Sequence, residues 1–90
     1  MDETTHLQPS PSVYARAFGA EIVLLDFGRG EYFGLDEIGA LAWSRIEAGD
    51  PLGAIVDRIV ERYDVARDVA LRDLEDLVQE LLEQKLVAVS

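Results

Sequence analysis

Ninety residues with 49 % apolar side chains make one small domain with a core of its own, which excludes a globally disordered chain. The absence of cysteine excludes a disulfide framework, a thiolate zinc site and a cysteine nucleophile. Eighteen Asp and Glu against eight Lys and Arg, a formal net charge of −10, set the chain against phosphate backbones and favour basic peptides or proteins as partners.

In chain order, residues 1–12 are polar, with Pro9, Pro11 and the lone histidine His6, and are expected to form a flexible arm ahead of a domain over residues 13–89. They have neither the basic start nor the apolar run of a signal peptide, and nothing later approaches the roughly 18 apolar residues that cross a bilayer. A cytoplasmic protein without membrane contact is expected. Val13–Phe18 reads as a first strand closed by Gly19-Ala20, and Ile22–Phe27 as a buried second strand. Gly28-Arg29-Gly30 supplies a tight turn into a third strand, Glu31-Tyr32-Phe33-Gly34-Leu35, in which Phe33 and Leu35 share one face and Tyr32 the other.

Asp36 is a suitable cap for a first helix carrying Ile38, Leu41, Ala42 and Ile46, stopped at Ala48-Gly49. A second helix follows, with Asp50 as cap, Pro51 in the first turn and an apolar stripe from Leu52 to Tyr63. A third helix is predicted from about Arg67 to Gln84, apolar over a wide arc. Ala70, Leu74, Leu77 and Leu81 form one seam, with Leu71, Val78 and Leu82 beside it. Leu86–Val89 reads either as a last helical turn or as a short closing strand. Trp43 reads as core or as part of a docking surface. The expected class is α+β: a three-stranded antiparallel sheet followed by three helices.

Catalytic chemistry finds no foothold. His6 has no second imidazole for a metal site, the serines have no base partner, and Gly28-Arg29-Gly30 lacks the lysine of a phosphate loop. No metal, cofactor or enzymatic activity is expected. A winged-helix DNA reader is disfavoured because the third helix carries Asp68, Asp73, Glu75, Asp76, Glu80 and Glu83 against Arg67, Arg72 and Lys85. An acyl carrier needs serine in an Asp-Ser-Leu context, whereas Ser44 lies in Trp43-Ser44-Arg45. Binding is the better reading. A last strand at a sheet edge, beside a wide-faced helix, offers unpaired backbone groups to an extended peptide.

The order of residues resembles the PqqD-like family. It has a strand ending Tyr32-Phe33-Gly34-Leu35-Asp36, then Gly39 and Trp43, then Gly49-Asp50-Pro51, Tyr63-Asp64-Val65, and Asp73-Leu74 through Leu81 to Leu86-Val87. The resemblance spans roughly Val13 to Val89. It implies a winged-helix-like domain that acts as a recognition element for ribosomally made, post-translationally modified peptides. Such a domain binds the leader segment on its third strand, against its third helix. Carried over, the strand is Glu31, Tyr32, Phe33, Gly34 and Leu35, and the facing helix positions are Val69, Arg72, Asp73, Asp76 and Leu77, or else the Leu71 and Val78 side. The implied partners are the precursor's leader peptide and a processing enzyme: a leader peptidase of lasso-peptide maturation is the first reading, since a stand-alone acidic chain suits basic lasso leaders, and a radical-SAM modifying enzyme served by a PqqD-type chaperone is the alternative.

Overall fold

Two tight turns shape the sheet. Gly19 adopts φ +65°, which a two-residue hairpin loop demands of its first position, and it joins strand β2 (Val13–Phe18) to β3 (Glu21–Asp26). The turn after β3 leads into β4 (Glu31–Leu35) and is held by Asp26. The carboxylate of Asp26 is buried and accepts bonds from Ser12 Oγ and Gly28 N, each at 3.0 Å. The computed structural model describes residues 1–90 and orders this antiparallel sheet β2-β3-β4. It places Leu24 opposite Phe33 and Leu25 between Tyr14 and Tyr32.

Helices α1 (Glu37–Glu47), α2 (Leu52–Arg62) and α3 (Arg67–Glu83) follow; α1 packs on β3 and β4, and α2 and α3 pack on α1 and on each other. Asp36 caps α1, its carboxylate accepting from Gly39 N at 2.8 Å. The core collects Leu24 from the sheet, Trp43 and Ile46 from α1, Ile55 and Val56 from α2, and Val78 and Leu81 from α3. Trp43 is 1 % exposed, so it belongs to the core and to no docking surface, and its indole N–H finds no acceptor.

Two local expectations are corrected and one left open is decided. The arm over residues 1–12 is tied to the domain. Strand β1 (Leu7–Pro9) pairs antiparallel with β5 (Val87–Val89), which also decides that the C-terminal segment is a strand. Leu7 is buried in the core, and the Glu3 carboxylate receives Arg67 Nη2 at 2.6 Å. Arg67 holds that carboxyl below its usual range. Asp50 does not cap α2. It pairs with Arg45 at 2.7 Å, Pro51 takes the cap position, and the first helical N–H groups donate to carbonyls of the arm: Leu52 N to Thr5 O at 3.0 Å and Gly53 N to Glu3 O at 2.8 Å.

Helix α3 ends at Glu83, with Leu86 N bonded back to Leu81 O and Lys85 left-handed at φ +59°. The carbonyls of the turn that follows are covered by Arg29 Nη1, which reaches Gln84 O at 2.7 Å, and by Ser10 Oγ, which donates to Lys85 O at 2.6 Å. A lysine side chain in this conformation is strained. The substitution Lys85→Gly is expected to stabilise the fold by about 0.5–1 kcal/mol. That is an upward shift of a few degrees in the thermal midpoint for a domain of this size, read by calorimetry.

Candidate functional site

Which backbone groups β4 leaves free follows from the pairing. Antiparallel ladders alternate bonded and non-bonded pairs. Phe27 N donates to Ser12 O at 3.1 Å, so the bonded pairs of the first hairpin are Tyr14–Leu25, Arg16–Val23 and Phe18–Glu21. The β3 residues that turn toward β4 are therefore Ile22, Leu24 and Asp26, which engage Leu35, Phe33 and Glu31. Tyr32 and Gly34 direct their N–H and C=O groups outward from the sheet margin. They are the free main-chain groups of this edge.

Helix α3 stands across from that edge, over a groove of about 510 Å3. Phe33, Leu35, Ile38, Ala42, Ile59 and Leu74 give the groove an apolar lining. Part of its depth comes from Gly39 on α1, where an added Cβ would meet the Leu35 side chain at 3.2 Å and Asp36 Oδ1 at 3.3 Å. The rim is acidic. Asp73, Asp76 and Glu80 line one side from α3, Asp36 lies at the end of β4, and no Lys or Arg is among the lining residues. At the far end of α2, Tyr63 Oη donates to Glu37 Oε1 at 2.8 Å, tying the start of α1 to the 63–65 turn from which Val65 enters the groove. Burial and that carboxylate raise the Tyr63 pKa.

Of the ten positions singled out by sequence, Phe33, Gly34, Leu35, Asp73, Asp76 and Leu77 come together around the groove. The other four lie outside it. Tyr32 points to the opposite sheet face and is 79 % exposed, and Glu31 pairs with Arg29 at 3.2 Å. Val69 is exposed one turn before Asp73 on the same helical row, and Arg72 lies on the solvent side of that row. The groove takes the Asp73–Asp76–Leu77 side of α3, while Val78 is fully buried and Leu71 does not line it. Sequence reasoning did not single out Ile38, Gly39, Ala42, Ile59, Val65 or Glu80 as lining. Glu80 was findable, since it continues the 73–76 row by one turn. No cluster of three or more His, Cys, Asp or Glu side chains forms a metal site, and no helix is long and apolar enough to cross a membrane.

A three-stranded sheet with a free, helix-walled edge, backed by three helices, defines a small winged-helix-like α+β domain. The sequence pattern of the family described as coenzyme PQQ synthesis protein D (PqqD) matches residues 21–87, and the chain belongs to that family. Two solved structures share its fold. One, described as TbiB1 in complex with the TbiA(beta) leader peptide, is 38 % identical with a TM-score of 0.85, and the match covers 89 % of this chain and 93 % of that one. The other, a lasso peptide synthetase B1 complexed with the leader peptide, is 28 % identical with a TM-score of 0.85, covering 92 % and 98 %. No curated protein matches the sequence.

Proposed function

We propose that this chain binds the leader segment of a ribosomally made precursor peptide by strand addition to β4 and presents it to a partner enzyme, a leader peptidase of lasso-peptide maturation. The observation that carries the reading is the pair of free backbone positions, Tyr32 and Gly34, facing a groove walled by α3. Peptide residues opposite those two exchange main-chain bonds with them. Alternate peptide side chains, opposite Phe33 and Leu35, then enter the groove. The wall also explains why the edge is safe to leave open. A lone extended chain fits between β4 and α3, whereas the edge of another sheet brings its own neighbouring strands and collides with the helix. Two relatives whose structures hold leader peptides support leader binding, and the one described as a lasso peptide synthetase B1 supports the lasso assignment. The reading gives this chain no catalytic step and places it in the cytoplasm, with the precursor.

Anchoring comes from apolar side chains in the groove, and Asp73, Asp76 and Glu80 favour Lys or Arg on the peptide. Such exposed pairs contribute at most about 1 kcal/mol each, so they act mainly on encounter. Raising ionic strength is expected to slow association with a basic leader several-fold while leaving dissociation nearly constant. Stopped-flow kinetics with a leader whose Lys and Arg are replaced by Gln should lose that dependence.

The direct test is titration with the TbiA(beta) leader peptide and with the leader of the chain's own precursor, followed by amide shifts. Perturbations are expected at residues 31–35 and along residues 69–80. Binding without shifts at those residues, or no binding of either peptide, defeats the reading. Trp43 is a poor reporter because it is sealed in the core.

A further inference from the structure

The face of the sheet turned away from α1 is aromatic. Strand alternation puts Tyr14, Phe18, Val23, Leu25 and Tyr32 on it, and Phe27 joins them just beyond β3. Tyr14, Leu25 and Tyr32 form one row across three strands, and the Tyr14 ring stands edge-on to Phe27 with centroids 5.1 Å apart. Tyr14, Phe18, Phe27 and Tyr32 are each more than 60 % exposed, four of the chain's seven aromatic side chains. Together they expose on the order of 500 Å2, a size at which apolar patches on a monomer are often functional. In a chain of net charge −10 this face is neutral, because its two charges, Arg16 and Glu21, cancel.

We infer that this face docks the leader peptidase and that the bound leader completes it, an inference that rests on strand addition of the leader to β4. A peptide residue paired with Tyr32 or Gly34 lies on the same face as they do, while its neighbours along the peptide enter the groove. The far edge of the peptide strand is closed off by α3. An enzyme therefore meets the held leader from the aromatic side. Gly34 keeps that side open: it has no side chain to shield the peptide residue beside it, and even an added Cβ would meet nothing within 4 Å.

Size decides what such an enzyme must touch. A specific contact covers about 800 Å2 on each partner, a disc about 16 Å in radius. Neighbouring strands lie about 4.8 Å apart, so Tyr32 stands one spacing from the leader and Tyr14 three, or roughly 14 Å. A footprint centred on the leader's outer side chains thus takes in Tyr32, Leu25 and Tyr14 on its sheet side. The aromatic patch alone falls short of about 800 Å2, so the free chain holds the enzyme weakly and the leader supplies the remainder. A second copy of the chain on this face would cover the one side from which the leader can be reached.

The probe is the peptidase that cleaves the chain's own precursor, with the leader segment alone as the uncleaved ligand. Surface plasmon resonance is expected to show the immobilised chain binding that peptidase at least about tenfold more tightly when saturated with leader than when free. By linkage, the peptidase raises leader affinity by the same factor. Tyr14→Thr combined with Phe27→Thr removes the aromatic pair that lies off β4, and threonine suits the β2 strand. The double variant is expected to lose at least about tenfold in peptidase affinity and in the rate of precursor cleavage, while its leader affinity, measured by calorimetry, stays within about twofold of the parent's. Should it unfold, Tyr14→Thr alone decides. Cleavage at the parent's rate overturns the inference, as does peptidase binding indifferent to the leader. A dimer of the chain, seen by sedimentation and dissolved by the double substitution, also overturns it, because the face then belongs to a second copy. A parent chain that binds no leader at all defeats strand addition itself, so the two failures are distinguishable.

Discussion

Gly34→Pro is expected to leave the domain folded and to abolish leader binding. The N–H of Gly34 points away from β3, so the β3–β4 ladder, which runs through Glu31, Phe33 and Leu35, does not use it. Edge strands accept proline where the missing N–H faces outward, and the residue before it, Phe33, already has the extended backbone that proline favours. Space is no obstacle either, since a Cβ at position 34 meets nothing within 4 Å. A bound strand meets a different surface: one of its carbonyls loses its donor, and the pyrrolidine ring occupies the line along which the peptide must approach. An acceptor stranded in a desolvated contact costs about 1–3 kcal/mol beyond the bond itself. The affinity loss should therefore be at least about thirtyfold, or 2 kcal/mol. Calorimetric titration with the TbiA(beta) leader peptide, beside circular dichroism of the variant, measures both halves. A Gly34→Pro protein that binds the leader normally rules out strand addition to β4.

Local periodicity decides which parts of the molecule are legible in its sequence. Strands β2 to β4 are short apolar runs punctuated by Gly19-Ala20 and Gly28-Arg29-Gly30, and the helices carry 3.6-residue stripes, so both periods stand out locally. What stayed hidden depends on distant partners. In residues 1–12 only Leu7 signals burial, and its strand pairs with residues some eighty positions away. Asp50 has the composition of a helix cap, yet Arg45, five residues before it, is a stronger partner, and the arm supplies the carbonyls that α2 needs. The site divides in the same way. Phe33, Leu35, Asp73, Asp76 and Leu77 follow from strand order and one helix row. Gly39, Ala42 and Ile59 reach the groove only through the way α1 and α2 pack beneath it. The acidic balance of α3, first an argument against nucleic acid, becomes the rim of that groove.

Leu77 separates the groove from the core and from the other flank of α3. It is half-buried, between the acidic row of Asp73, Asp76 and Glu80 and the core seam of Ala70, Leu74 and Leu81. In Leu77→Lys the helix keeps a good former, and the ammonium gains Asp73 one turn earlier and Glu80 three residues later, an arrangement that supports α-helix. The fold is thus expected to survive with little change in thermal midpoint. Binding is not. The peptide's apolar anchor loses one wall, which amounts to about 1.5–3 kcal/mol of buried leucine, and meets a desolvated cation in its place. The new charge also occupies the carboxylates that would receive the leader's own Lys or Arg, so the salt dependence of association should shrink together with the affinity. A loss of tenfold to a hundredfold is expected. Leu71→Lys, on the opposite flank of the same helix and away from the groove, should bind the leader as the parent chain does. If the two variants lose affinity equally, the effect is a general one on α3 and the groove is not the place where the side chains of the peptide are read.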